Sequence, residues 1–475
     1  MTDPADLVRP DGGQPAHLLH IVDSAGYDAW LAGQPERHRI ALAAQGFSGA
    51  AASHAILPGE SAQDWAAIGG VADASALGPW CLARLADQLP EGTYRLAGDI
   101  QPGDAILGWM AAHYRFERYK EAPSAKGPRI LLSPQPAAIE PAARLARATA
   151  LVRDMVNTPT ADMGPEEIEE QARLVAGRHG AQLTVTRGDA LANGYPMIHA
   201  VGRAADRTNA PRLVELDWGR DEHPRIAIVG KGVTFDSGGL DIKPSAGMRL
   251  MKKDMGGAAH ALALADLVMA AHLPVRLHLL LPIAENAIGG NAFRPGDILK
   301  SRKGLTVEIG NTDAEGRLLL GDALTRAGEG DPELILDFAT LTGAARVALG
   351  PDLPALFAND EALAAELTEH GTVQGDPVWR LPLWGSYADL LKSDIADISN
   401  SGESGFAGAI TAALFLQRFV PEGTAWAHFD TFAWRPTPKP GRPKGGEAYG
   451  LRTAFALLHA RYGQSGTASA PAPRP

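Results

Sequence analysis

Short apolar runs alternate with longer stretches in which apolar residues recur every three or four positions, and the alternation changes character along the chain. Before residue 125, strand-like runs such as AHLLHIV (16–22) and the stretch 65–74 are mixed with Ala-rich helical pattern, as in DAILGWMAAHYRFERY (104–119). The segment EAPSAKGPRILLSPQP (121–136) is dense in Pro, Gly and Ser and is the best linker candidate. IEPAARLARATALVRDMVNTP (139–159) predicts one helix, with Pro141 near its start and Pro159 just beyond its end.

From residue 160 the alternation becomes regular. A helix is expected over 165–180, opened by Pro165 and closed by Gly180. RIAIVGKG (225–232), VRLHLLLPIAE (275–285), ELILDFATL (333–341) and TAWAHFDTF (424–432) have the continuous apolar character of strands buried on both faces. Helices fall over 256–273 and over EAYGLRTAFALLHARY at 447–462. Strands and helices in turn predict an α/β fold with a mostly parallel central sheet covered by helices. The expected division is an N-terminal α/β domain at 1–125, a linker and bridging helix at 126–160, a larger C-terminal α/β domain at 161–462 and a disordered tail at 463–475.

Charge and cysteine content narrow the classes. Fifty-five acidic residues against 44 basic ones give a formal charge of −11, which disfavours a protein that coats nucleic acid or anionic lipid. The single cysteine, Cys81, excludes an intramolecular disulfide and a Cys-based zinc finger or iron–sulfur cluster, and its amphipathic surroundings suit a packed core thiol. The N-terminus lacks the basic and apolar regions of a signal peptide, and no apolar run is long enough to span a bilayer. A soluble, cytoplasmic protein is expected.

The densest group of ionisable residues begins where a buried strand stops, the place where open α/β sheets put their ligands. It contains Lys231, Asp236, Asp241, Lys243, Lys252, Lys253 and Asp254. A second group, NTDAEGRL (311–318), follows a strand-like run and precedes a helix. In extended chain Asp313 and Glu315 would point the same way, with Arg317 continuing that face, and two adjacent carboxylates repel unless a proton or cation lies between them. Asp236, Asp254, Asp313 and Glu315 together carry four negative charges, the formal complement of two divalent metal ions in a hydrolytic site. Lys231 could join them as a neutral amine, and Lys243 and Arg317 would stay charged toward substrate or an anion. Taken singly, such a carboxylate is more often a turn former, a surface charge or, for Asp254 ahead of a Gly-rich helix start, a cap than a metal ligand. Asp241 and Asp297 are expected to be structural. Met248, Met251 and Met255 suit either a packed face or an apolar substrate pocket. Other signatures fail: there is no complete dinucleotide fingerprint, no GK[ST] phosphate loop, no HExxH and no GxSxG elbow.

KGVTFDSGGLDIK, MKKDMGGA and NTDAEGRL closely resemble, in order and spacing, the motifs of the leucine (cytosol) aminopeptidase family, peptidase family M17. The resemblance extends through NTP (157–159), ENAIGGNAFRPGDI (285–298), ATLTGA (339–344), SDIADISN (393–400) and GAITAALFLQRFV (408–420). It implies a small variable N-terminal domain, a larger catalytic domain, and a dimetal exopeptidase that removes N-terminal residues from peptides, often favouring Leu. Carried over by motif position, Asp236, Asp313 and Glu315 would hold one zinc or manganese ion. Lys231, Asp236, Asp254 and Glu315 would hold the other, with a metal-bridging hydroxide as the nucleophile. Lys243 would stabilise the oxyanion, and Arg317 would hold a bicarbonate that shuttles the proton. Met251, Asn311, Thr340 and Gly343 would contact the substrate. The family also implies peptides with a free N-terminus as partners and a hexameric assembly. A same-site hydrolase of non-peptide amides or dipeptide conjugates, and a secondary DNA-binding or scaffolding role, are the alternatives. The Pro- and Lys-rich stretch 430–450 departs from the family's pattern near the region implied to line the first-residue pocket.

Overall fold

The computed structural model describes residues 3–120, 127–402 and 404–463. Residues 121–126 of the linker candidate and residues 464–475 of the expected tail lie outside the described residues. The chain forms two compact units, one made of residues 1–150 with 437–444 and the other of 151–436 with 445–475.

The first unit is built on a six-stranded sheet in the order Val8–Pro10, Arg129–Ser133, Gly92–Leu96, His17–Val22, Trp65–Gly70 and His54–Pro58. All neighbours are parallel except the last pair. Helices Ala83–Gln88 and Ala105–Ala111 supply the buried apolar residues that cover it. Cys81 is free and half-buried, packed against this core. Residues 437–444 belong to this unit: Arg442 lies over the Trp80 ring at 4.6 Å, and Gly441 approaches the same indole. Only the start of the 430–450 stretch therefore stays near the cavity described below.

In the second unit four strands form a parallel core in the order Ala425–Asp430, Leu334–Ala339, Arg225–Gly230 and Arg276–Asn286. These are the four continuous apolar runs of the sequence, and they are buried almost throughout. Antiparallel neighbours extend both sides: Ala355–Ala358 beside Ala425–Asp430, and Arg212–Trp218 then Gln182–Arg187 beyond Arg276–Asn286. Helix Gly256–Ala270 packs on the strands together with Pro165–His179 and Leu451–Tyr462, while Gly316–Gly328 packs on them with Pro196–Gly202 and Gly408–Gln417. Among the described residues, no helix is long and apolar enough to cross a membrane.

Helix Pro136–Asn157 starts three residues earlier than the pattern predicts, because Pro136 rather than Pro141 occupies the first turn. Pro141 then sits inside the helix, where it has no N–H to give to the turn before it.

Candidate active site

Loops at the carboxyl ends of three core strands meet at one cavity, as expected for an open α/β sheet. Lys231 directly follows Arg225–Gly230, Thr340 directly follows Leu334–Ala339, and Asp430 ends Ala425–Asp430. The cavity has a volume of about 460 Å³. Lys231, Asp236, Lys243, Met251, Asp254, Asn311, Asp313, Glu315, Arg317, Thr340 and Gly343 all line it. The residues to which the resemblance gives metal, catalytic or substrate roles thus lie at one place, whereas Asp241, Met248, Lys252 and Met255 do not line the cavity.

The carboxylates converge by different local means. Asp236 ends the strand Gly232–Asp236, which pairs with the far end of Arg276–Asn286 through an irregular register. Its Oδ1 accepts from Asn286 Nδ2 and from the Gly238 amide, each at 2.9 Å. Asp313 lies in a turn and Glu315 is the N-cap residue of helix Gly316–Gly328, with α-region dihedrals. The expectation of an extended chain across 313–317 is therefore wrong: a turn running into a helix, not strand alternation, aims these side chains. Asp241 steadies that turn, accepting from the Thr312 amide at 2.8 Å. Asp254 sits in the 3-10 turn Met251–Met255 and does not cap the helix that follows. Its carboxylate instead accepts from Lys231 Nζ at 2.7 Å, Lys253 Nζ at 3.1 Å and Thr340 Oγ1 at 2.8 Å.

Two glycines make this crowding sterically feasible. A Cβ on Gly316 would lie 2.3 Å from Lys231 Cε and 2.6 Å from its Nζ, so only glycine lets that amine reach the carboxylates. Gly238 has φ +88°, and a Cβ there would meet the Asp241 carbonyl oxygen at 2.4 Å. This turn carries the chain back so that Lys243 Nζ reaches Asp236 Oδ2 at 2.8 Å and also pairs with Asp313.

Ligand atoms of Asp236, Asp313 and Glu315 lie within 4.8 Å of one another. Burial first, and then the Asp236 charge, push Asp313 up to about 6 and Glu315 up to about 8. Burial alone would lower the Lys231 amine, but Asp254, Glu315 and Asp236 outweigh it and raise it. Burial alone would favour a proton on Asp254, but the Lys231 and Lys253 charges outweigh it and hold the carboxyl below its ordinary range. Glu315 is 1% exposed, and neither of its oxygens has a hydrogen bond of good angle, although Lys231 Nζ stands 3.0 Å from Oε1. Asp313 Oδ1 is likewise without a well-directed hydrogen bond. Buried carboxylate oxygens without donors, held against a second carboxylate, fit a site that takes divalent cations.

Arg317 is half-buried at the same cavity. Its Nη1 donates to the Asn400 carbonyl at 2.7 Å, while its Nε has no partner, and burial lowers it to about 10. Asn400 also braces the Asp313 turn, donating to the Asn311 carbonyl at 2.7 Å and accepting from the Gly310 amide at 2.9 Å. Asn311 Oδ1 in turn accepts from the Asp313 amide at 2.7 Å. Asp430, which received no role from the sequence, accepts from the Leu341 and Thr342 amides and shapes the loop leading to Gly343. Asn286 and Asn400 stand in ENAIGGN and SDIADISN, motifs visible in the sequence, but their bracing roles depend on contacts distant in the chain.

The family described as "Cytosol aminopeptidase family, catalytic domain" matches residues 150–455, and "M17 aminopeptidase, N-terminal domain" matches residues 18–132. A probable cytosol aminopeptidase from Syntrophotalea carbinolica is 41% identical over 370 residues, covering 74% of this chain and 74% of its own length. The crystal structure of the cytosol aminopeptidase from Coxiella burnetii superposes with a TM-score of 0.91 at 43% identity, over 96% of this chain and 100% of that one. The bottromycin maturation enzyme BotP in complex with Mn superposes with a TM-score of 0.84 at 32% identity, over 94% of this chain and 100% of that one. On the length of chain matched and the level of identity, this protein belongs to the cytosol aminopeptidase family of metal-dependent exopeptidases.

Proposed function

We propose that the protein removes the first residue from peptides with a free α-amine, using two divalent cations held by Asp236, Asp254, Asp313, Glu315 and Lys231. The observation that carries this reading is the buried Glu315 carboxylate, flanked by Asp236 and Asp313 and without a well-directed hydrogen bond. The BotP structure with Mn supports manganese as one of the ions such a site takes, and zinc is the alternative that the family resemblance implies. When bound, such ions polarise the scissile carbonyl and make water acidic enough to be a hydroxide near neutral pH.

The chain's own residues supply the remainder. Lys243, charged and partly buried, neutralises negative charge developing on the carbonyl oxygen. Arg317 offers an unpartnered Nε as the seat of a bicarbonate, whose chemistry when bound is that of a proton carrier. Met251, Thr340 and Gly343 form the wall for the first side chain, and Asn311 holds the turn on which Asp313 stands. A cytoplasmic location and a hexamer accompany this reading. The exposed apolar side chains of Val347 and Phe406, at 86% and 84%, suit burial between subunits.

A second reading, hydrolysis of non-peptide amides or dipeptide conjugates at the same site, is favoured by the likeness to a bottromycin maturation enzyme. Dipeptides, their N-acetylated forms and simple amides separate the two. Cleavage of free-amine dipeptides alone, lost with chelator and restored by Mn²⁺ or Zn²⁺, supports the aminopeptidase. Equal turnover of the blocked forms contradicts it.

A further inference from the structure

The part of the cavity that holds Met251, Thr340 and Gly343 carries more positive charge than an apolar first residue requires. Phe432 lines the cavity, and two cations sit over its ring: Arg346 with Cζ 4.7 Å from the centroid and Lys253 with Nζ at 5.7 Å. Both cations line the cavity themselves. Arg346 belongs to the helix Gly343–Leu349, and a Cβ built on Gly343 would lie 3.6 Å from its Nη2. Lys253 lies two residues from Met251 and is buried, with Asp254 Oδ1 as its carboxylate contact, an oxygen already shared with the Thr340 hydroxyl. Arg346 forms no ion pair among the described residues.

Two cations on one ring repel each other and gain only its weak quadrupole. A leucine side chain placed there would strip water from Arg346 without offering it a partner, whereas a carboxylate would accept charge-assisted hydrogen bonds from Arg346 and from Lys253, whose present carboxylate contact is Asp254 alone. We infer that this pocket selects peptides whose first residue carries a side-chain carboxylate, Asp or Glu, read by Arg346 and Lys253 against Phe432. The inference rests on the aminopeptidase reading above and departs from the leucine preference implied by the family resemblance. Its position beside Gly343 and Met251 assigns the charge to the first side chain rather than to the C-terminal carboxylate of a short substrate.

The test uses the full-length, metal-loaded enzyme on X-Ala-amide dipeptides with X as Glu, Gln, Leu or Lys, and on Leu-Ala with a free carboxylate. Calorimetric binding of L-glutamate against L-glutamine accompanies the kinetics. Glu should exceed its isostere Gln in kcat/KM by roughly tenfold or more, mostly through KM, because an unpaired charge penalises the neutral analogue. Arg346→Glu should reverse the order so that Lys-first substrates overtake Glu-first ones, a swap that misfolding cannot produce. Lys253→Met should shrink the Glu/Gln ratio, with metal content measured alongside because Asp254 is its neighbour. Gln-first substrates equal to or better than Glu-first ones overturn the inference while leaving the aminopeptidase intact. So does an advantage carried only by the free carboxylate of Leu-Ala. If no peptide is cleaved yet glutamate binds more tightly than glutamine, the aminopeptidase reading fails and the pocket reading stands.

Discussion

Both oxygens of Glu315 are buried without well-directed donors, while Asp236 and Asp313 crowd its other side. Without a cation, the least costly remedy is a proton, which is why Glu315 rises from 4.5 to about 8 and Asp313 from 3.8 to about 6. The sign of the pH dependence follows. A carboxyl whose pKa is higher in the folded state binds protons preferentially there, so the metal-free protein loses stability as pH climbs from about 4 toward 8. Cations bind the deprotonated pair, so the gain in Tm on adding Mn²⁺ should grow between pH 6 and pH 8. Asp322, buried and raised to about 7, titrates in the same window, but it does so with and without metal and leaves the difference unchanged. A metal-induced Tm gain that is flat or falls with pH would contradict this. Lys243 makes a separate claim. Lys243→Ala should lower kcat by ~10²–10³ while the metal content stays constant, as expected for one lost oxyanion contact. Loss of metal in that variant would make Lys243 a structural counter-ion, its charge needed by Asp236 and Asp313.

At the level of elements, two forces conflict at Gly316. Alanine inside a helix is favoured over glycine by about 1 kcal/mol. A Cβ there would meet the Lys231 side chain at 2.3–2.7 Å, and Lys231 is itself buried and cannot move to water. Gly316→Ala is therefore expected to lower metal affinity and Tm despite its helix propensity, as read by metal titration and thermal unfolding. A stabilised variant with normal metal content would mean that Lys231 has another place to go. The same turn shows where the sequence was legible. The four core strands announce themselves as uninterrupted apolar runs because both faces of a parallel sheet are buried. Strands of two or three residues, such as Trp379–Arg380 and Ile398–Ser399, have no periodicity to detect. The alternation argument at Asp313, Ala314 and Glu315 assumed extended chain, yet Glu315 already has helical dihedrals. The two carboxylates still converge because the turn turns them inward.

On the scale of the whole molecule, residues far apart in sequence meet where the parallel strands end. Motif order exposed the acidic members of that meeting, because KGVTFDSGG, MKKDMGG and NTDAEGRL each keep their charges close together in the chain. The cationic members were less visible. Lys253, Arg346 and Phe432 come together only through a turn, a helix start and a strand end spread over more than 170 residues, and no local spacing announces them. The 430–450 stretch divides for a similar reason: Phe432 faces the cavity, whereas residues 437–444 pack against Trp80 in the other unit. What unites the site is an excess of buried negative charge that the protein's own lysines only partly offset. The most direct measurement is anomalous diffraction from crystals grown with Mn²⁺, paired with the same experiment on Glu315→Ala. Two manganese peaks should lie among Asp236, Asp254, Asp313, Glu315 and Lys231 in the native protein, and at least one should vanish in the variant. Strong Mn²⁺ present in the crystal but no peak among these side chains, with Lys243 still lying across Asp236 and Asp313, would contradict the account.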